Sequence, residues 1–333
     1  MRKNSILECD NFFELMPEVA HNALGIPHGR GLKSHSTRPT FIWMATEVLI
    51  WRKLKITLDM IRFEHTVFAL PFALIGALLA SGGLPSAWQL GWILTAMVGA
   101  RSAAMAFNRI ADIHFDRLNP RTRDRALPRG TLTVSFAAAF TVVMSALFVF
   151  SAWQLNPLCF DLSFPTLGIL LFYSFTKRFT AWSHIVLGMS IGLAPLAAWL
   201  AIRGEFAWPP VLLSAAVMFW VSGFDIIYAL QDVDFDRKAK LFSLPSRVGV
   251  ARALSLSTIL HVATVALLLA TARLMQLGGV AYAGIALVAS ILYYEHRIVK
   301  PNDLSRVNVA FFNLNGYVSI LLLITFATDI LIR

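Results

Sequence analysis

Charge is scarce in this sequence. Only 14% of the 333 residues are charged, against roughly 25% in an ordinary soluble domain. Length alone would fit about two soluble domains of ~150 residues, but so few charges cannot cover two such surfaces. Cysteine is nearly missing: Cys9 and Cys159 lie far apart and in no motif, which excludes a disulfide scaffold and a thiolate metal cluster. No basic start runs promptly into an apolar stretch, so no secretory signal is read. Acids are fewer than bases, 19 Asp+Glu against 29 Lys+Arg, for a net charge of +10. What fills the rest excludes disorder and collagen-like structure. Hydrophobic residues make up 57% of the chain, with 25 Phe and 9 Trp, and mean hydropathy is +0.65. This is the composition of an all-α, polytopic membrane protein with a basic surface.

A membrane-spanning helix needs about 20 mostly apolar residues. Nine stretches are expected to form a bundle of such spans: 66–83, 88–111, 132–152, 162–176, 181–201, 210–231, 253–272, 276–295 and 308–330. The third carries no charge; the fourth is short, with Pro165 near its start. The bases alternate with the spans. Arg117, Arg121, Arg123, Arg125 and Arg129 follow span 2, and Lys177 and Arg178 follow span 4. Arg237, Lys238, Lys240, Arg247 and Arg252 follow span 6, and Arg297, Lys300 and Arg306 follow span 8. The odd-numbered loops hold only Arg203 and Arg273. The excess of Lys and Arg in cytoplasmic loops then places the even loops and the N-terminus in the cytoplasm of a bacterial-type plasma membrane. Residues 1–55 are polar and form either a cytoplasmic extension or the product of a start codon assigned too early, with Met44 as the alternative start. The apolar stretch 41–51 fits a segment lying along the membrane surface. Residues 56–333 form the membrane domain.

The few acids cluster. Residues 112–117 read D-I-H-F-D-R and residues 232–237 read D-V-D-F-D-R. Both follow a long apolar span and open a basic loop, so the bundle is expected to have pseudo-symmetric halves, each ending in an acidic helix. Asn108, Asp112 and Asp116 are spaced i, i+4 and i+8 and climb one helix face; Asp232 and Asp236 do the same. Like charges at i, i+4 repel by ~0.2–0.5 kcal/mol even in water, and acids near a membrane interior are functional by default. Something must neutralise them. Mg²⁺ suits carboxylate oxygens and shares its shell with water and substrate phosphates, so two facing clusters can hold ions around a diphosphate. Arg121 and Arg125, with Lys177 and Arg178, suit the same anion, since guanidinium binds phosphate with two parallel hydrogen bonds. Other readings stand beside these. The arginines also serve topology, and Asp112 and Asp116 can simply pair with them. Asp124 reads as a loop ion-pair partner, Asp234 as solvated and His114 as an interfacial helix residue. Glu64 and His65 are site residues or interface anchors. Asp225, two turns before the second cluster, is a secondary site candidate.

These residues resemble the UbiA superfamily of intramembrane aromatic prenyltransferases, and within it the bacterial 4-hydroxybenzoate polyprenyltransferase type with its menaquinone-pathway relatives. The family motif N-D-x-x-D-x-x-x-D is met by N-R-I-A-D-I-H-F-D, residues 108–116. The R-T-x-x-R-x-L-x-x-G pattern is met by Arg121, Thr122, Arg125, Leu127 and Gly130. Y-x-x-x-K-R-x-T is met by Tyr173, Lys177, Arg178 and Thr180, and Y-A-x-x-D-x-x-x-D by residues 228–236. The resemblance covers about residues 55–330. It implies a nine-helix fold and a polyprenyl diphosphate bound through two Mg²⁺ ions. Asn108, Asp112 and Asp116 would serve one ion, Asp232 and Asp236 the other. Arg121, Arg125 and Lys177 would contact the diphosphate, with Arg62 a further candidate. Tyr173 would face the allylic cation that an aromatic acid then attacks. Two departures stand out. Arg109 replaces the usual Asp of the first motif, as in a subgroup that includes menaquinone-pathway members, and Ser174 replaces a common Pro. The acceptor is therefore 4-hydroxybenzoate or a dihydroxynaphthoate. Haem, a lipid headgroup and, in another class, an ion-coupled transporter are the alternatives; a transporter would place its acids at the midplane, not at span ends. The partners implied are the lipid bilayer and the two substrates, with no nucleic acid and no obligate protein partner.

Overall fold

The computed structural model describes residues 55–61 and 68–332. The extension expected over 1–55, with the stretch 41–51 and Met44, lies outside the described residues except for Lys55. So do Arg62, Glu64 and His65. Among the described residues the regular structure is helical, apart from an isolated antiparallel bridge between Lys300 and Asp303. A short helix at residues 55–60 comes first. Then follow α1 (Leu70–Ser81), α2 (Ala87–Ala111), the short α3 (Ile113–Leu118), α4 (Val134–Leu155), α5 (Pro157–Thr176) and α6 (Ser183–Arg203). The second half holds α7 (Trp208–Ala229), the short α8 (Val233–Lys238) and α9 (Leu244–Val248), α10 (Val250–Leu274), α11 (Gly279–Ile298) and α12 (Asn315–Leu331).

Each of the nine expected spans coincides with a helix, but the count of nine is not reached by length and apolarity. Among the described residues seven helical runs are long and apolar enough to cross a membrane. The 12 residues of α1 fall short. The 20-residue α11 ends in Tyr293, Tyr294, Glu295, His296 and Arg297 and is not among the seven. The span over 162–176 also needs correction. It starts at Pro157, runs 20 residues and contains Pro165 in its interior. Pro at the first helical position loses no hydrogen bond. Before it, Asn156 caps the helix: its Oδ1 accepts from the Cys159 amide at 2.8 Å, and its Nδ2 donates to the Leu200 carbonyl at 2.8 Å. α4, the uncharged span, leaves Val142, Val143, Phe150 and Trp153 exposed, as a helix facing hydrocarbon does.

Six helices close a ring, in which α1, α6, α7, α10, α11 and α12 each pack on the next and α12 returns to α1. α2, α4 and α5 pack beside it, and α5 joins α6. Trp220 of α7 lies at the centre, with ring contacts to Phe68, Phe72 and Phe224. Contact between α6 and α7 depends on missing side chains. A Cβ on Gly188 would lie 2.2 Å from the Met218 carbonyl oxygen, and one on Gly192 would lie 2.7 Å from that of Ser214. This G-x-x-x-G spacing lets two backbones approach, as small residues do between membrane helices. The close fit sets α7, and with it the second acidic motif, against α6.

Candidate active site

The two acidic motifs share a backbone as well as a sequence. The helix expected to carry Asn108, Asp112 and Asp116 on one continuous face is broken: α2 ends at Ala111, and Asp112 has φ −93°, ψ 4°. Asp232 has nearly the same conformation, φ −109°, ψ 5°. Both lie in the bridge region, which is sparsely populated and frequent at active sites. Each is followed by a six-residue helix, α3 or α8, that buries the second acid, Asp116 or Asp236. The repeated D-x-x-F-D-R is therefore a repeated turn that tucks one carboxylate inward. Asn108 stays bonded across the break, its Nδ2 donating to Asp112 Oδ2 at 3.1 Å.

The loop after α3 ties the two motifs together. Arg125 Nη1 donates to both Asp116 oxygens, at 2.8 and 2.9 Å. Arg121 crosses to the other half: its Nε donates to Asp232 Oδ1 at 3.0 Å, its Nη2 pairs with Asp232 Oδ2, and its Nη1 donates to the Tyr228 hydroxyl at 2.8 Å. Asn119 Nδ2 adds a bond to Asp232 Oδ1 at 3.2 Å. The sequence reading gave these arginines to a diphosphate; the structure shows each holding a motif carboxylate, the pairing kept open as the other reading of Asp116. A cavity of about 470 Å³ opens beside them, bordered by Asp59, Arg109, Arg121, Arg125 and Arg129.

The end of α5 supplies the remaining cations. Tyr173 and Lys177 are spaced i, i+4 and both are half-buried. Burial alone would lower the Lys177 pKa, but the negative charges of Asp236, Asp225, Asp232 and Asp112 outweigh it and hold the ammonium above its ordinary value. One lysine thus faces acids of both motifs. Burial pushes the Asp112 carboxyl up, and Asp116 adds to this; Lys177, Arg178 and Arg109 offset only part. Arg178 donates to the Ala111 carbonyl at 2.6 Å and lies over the Phe115 and Phe175 rings. Its nearest carboxylate oxygen, on Asp112, is 4.0 Å away. Its visible work is to cap α2 with a positive charge, where the helix dipole favours one.

The minor assignments fall out simply. Asp124 pairs with Arg129 at 3.5 Å on the surface, and Asp234 and His114 are exposed. Arg109 donates to the Met60 carbonyl at 3.1 Å, so the residue that replaces the motif acid anchors the helix at 55–60. Three contributors were missed by sequence reasoning: Asn119, the Tyr228 hydroxyl and His184, which partners the secondary candidate Asp225. Only Tyr228 carried a signal, because it opens the second motif.

Mg²⁺ is the metal implied by the acidic motifs. Among the described residues no three His, Cys, Asp or Glu side chains form a ready-made metal cage. The donor set still fits the ion. It is all oxygen, and Asp236 Oδ2 is buried with no hydrogen-bond partner, an arrangement that costs free energy unless a cation or donor completes it. Mg²⁺ also keeps part of its shell for water and phosphate, so it does not require a closed protein cage.

Comparison with known proteins agrees with this fold. The model of the UbiA prenyltransferase family matches residues 69–317. The 4-hydroxybenzoate octaprenyltransferase of Tolumonas auensis is 33% identical over 251 residues, 73% of this chain and 85% of that protein. A solved apo structure of a UbiA homolog from Aeropyrum pernix K1 is 37% identical and superposes with a TM-score of 0.74 over 80% of this chain and 98% of its own. A UbiA homolog from Archaeoglobus fulgidus, solved bound to DMAPP and Mg²⁺, has the same fold at 23% identity and a TM-score of 0.60, covering 80% of this chain and 98% of its own. On its matched motifs, its helical architecture and these relatives, the chain belongs to the UbiA prenyltransferase family.

Proposed function

We propose that the chain transfers a polyprenyl group from polyprenyl diphosphate to an aromatic acid of the 4-hydroxybenzoate type, a step in building a respiratory quinone. The observation that carries this reading is the meeting of two acidic turns with Arg121, Arg125 and Lys177 in one region. Asn108, Asp112 and Asp116 on one side, and Asp232 and Asp236 on the other, are the residues that would hold Mg²⁺. When bound, Mg²⁺ neutralises the diphosphate and the charge that grows on it as it leaves. Arg121 and Arg125 bind the diphosphate by exchanging carboxylate oxygens for phosphate oxygens, which suit the same planar fork. Lys177 adds a point charge, Arg178 holds α2 in place behind Asp112, and Arg62, just before span 1 in the sequence, is a further candidate ligand. Tyr173, one turn deeper than Lys177, offers its ring face to the allylic cation. The apolar bundle admits the isoprenoid tail from the bilayer and keeps water from capturing the cation. The even-numbered loops and the N-terminus face the cytoplasm of a bacterial-type plasma membrane, and residues 56–333 form the catalytic domain behind a polar extension.

The names of the curated relatives favour 4-hydroxybenzoate over a dihydroxynaphthoate. The test is to supply membranes carrying the chain with Mg²⁺, prenyl diphosphate and both acids side by side, and to read the lipid extract by mass spectrometry. Prenylated 4-hydroxybenzoate is expected, and Asp112→Ala and Asp232→Ala are each expected to abolish it. Near-normal rates in both variants would overturn the reading.

A further inference from the structure

A carboxylate–imidazole pair lies under the acidic turns. Asp225 is on α7, seven residues before Asp232, so it shares that face about two turns deeper. His184, at the start of α6 and fully buried, lies with Nδ1 2.6 Å from Asp225 Oδ2. Its other nitrogen, Nε2, accepts the Leu244 backbone N–H at 3.3 Å. An accepting Nε2 is unprotonated, so the proton sits on Nδ1 and is donated to Asp225. The imidazole thus fixes one carboxylate oxygen. The other, Oδ1, has no hydrogen-bond partner among the described residues, and the side chain keeps 17% of its surface open. Asp225 also lies within electrostatic reach of the Tyr173 hydroxyl and the Lys177 ammonium. Depth separates its role from that of the motif acids. Arg121 and Arg125 engage Asp232 and Asp116 at the outer layer, where a diphosphate would sit. Asp225 lies about two turns further into α7, within electrostatic reach of Tyr173, where the carbon leaving the diphosphate and the attacking ring would meet.

We propose that Asp225 is the base that takes the hydroxyl proton of the aromatic acceptor, with His184 as the positioning residue that presents its free oxygen. This rests on the acceptor reading above. The electron pair of the breaking C–O bond leaves on the pyrophosphate, giving the allylic cation. The ring carbon next to the hydroxyl then forms the new C–C bond, because the position opposite the hydroxyl already bears the carboxylate. The hydroxyl proton passes to Asp225 Oδ1, leaving a neutral dienone. The ring hydrogen at the new bond departs to pyrophosphate as Asp225 returns its proton to the oxygen, and the aromatic hydroxy acid is restored. General-base help of this kind is worth roughly 10²–10⁴ in rate.

Asp225→Asn tests this, because it keeps the shape and removes the base. In membranes with Mg²⁺, geranyl diphosphate and 4-hydroxybenzoate, the variant is expected to lose about 10²-fold in turnover while its affinity for Mg²⁺ plus geranyl diphosphate stays within twofold. The decisive arm replaces 4-hydroxybenzoate with 3-chloro-4-hydroxybenzoate, whose hydroxyl is more acidic and needs less help. The ratio of unmodified to Asp225→Asn turnover is expected to shrink about tenfold. His184→Asn, whose amide can still donate to Asp225, is expected to retain more activity than His184→Leu. An unchanged ratio between the two acceptors, or equal loss in both His184 variants, would overturn the proposal while leaving the acceptor reading intact. Failure of the unmodified chain to prenylate either acid would overturn both.

Discussion

Arg121 does the work of three contacts: two bonds to Asp232 and one to the Tyr228 hydroxyl, with its guanidinium 5.2 Å from the centre of the Tyr228 ring. Lysine can keep the charge but not the planar fork. Arg121→Lys is therefore expected to bind prenyl diphosphate more weakly, with a KM at least fivefold higher, while retaining measurable turnover. Arg121→Ala is expected to lose about 10²-fold in kcat/KM, the usual scale for removing one preorganised charge-stabilising donor. Steady-state kinetics with varied diphosphate check both. Equal kinetics for the lysine variant and the unmodified chain would show that the fork is not used. The sequence made the residue types of this site legible, because acids in an apolar chain are rare enough to draw the eye. It did not show their pairing. Whether Arg121 reaches Asp232 depends on how two residues 111 positions apart meet, and nothing in either motif encodes that contact.

Helices were legible where apolar runs were long, as in α4 and α10. Their ends were less so. Asp112 and Asp232 are spaced for a continuous helix, yet both take bridge-region angles and start a new short helix. Spacing alone cannot reveal a break that burial of Asp116 and Asp236 imposes. α5 was read too short, as 162–176 with Pro165 near its start; the helix starts at the Asn156–Pro157 cap. The close approach of α6 to α7 was not foreseen, although Gly188 and Gly192 carry its spacing. Leu at Gly188 would drive a side chain into the Met218 carbonyl. Overpacking of this kind typically costs about 1–3 kcal/mol, and here the obstacle is backbone. Gly188→Leu is expected to lower the thermal midpoint in detergent and to weaken activity more than Gly168→Leu on α5, where a Cβ meets nothing within 4 Å. Equal melting of the two variants would contradict the close-approach account.

At the scale of the whole molecule, the net charge of +10 has two uses. Arg121 and Arg125 hold motif acids, and the bases of the even-numbered loops are proposed to set orientation. With Cys9→Ser and Cys159→Ser as background, Arg123→Cys is expected to react with an impermeant thiol reagent from the cytoplasmic side only. Glu205→Cys is expected to react from the opposite side. Both positions are exposed. Labelling of both from one side would overturn the orientation. The central claim is that both acidic turns together hold a metal-bound diphosphate for transfer to an aromatic acid. Its most direct measurement is the prenylated acid in lipid extracts from membranes carrying the unmodified chain, Asp116→Asn or Asp236→Asn, each with Mg²⁺ and with excess chelator. Product is expected only from the unmodified chain with free Mg²⁺, with at least a 10²-fold drop in each variant. Product that persists under chelation, or survives loss of either carboxylate, would contradict it.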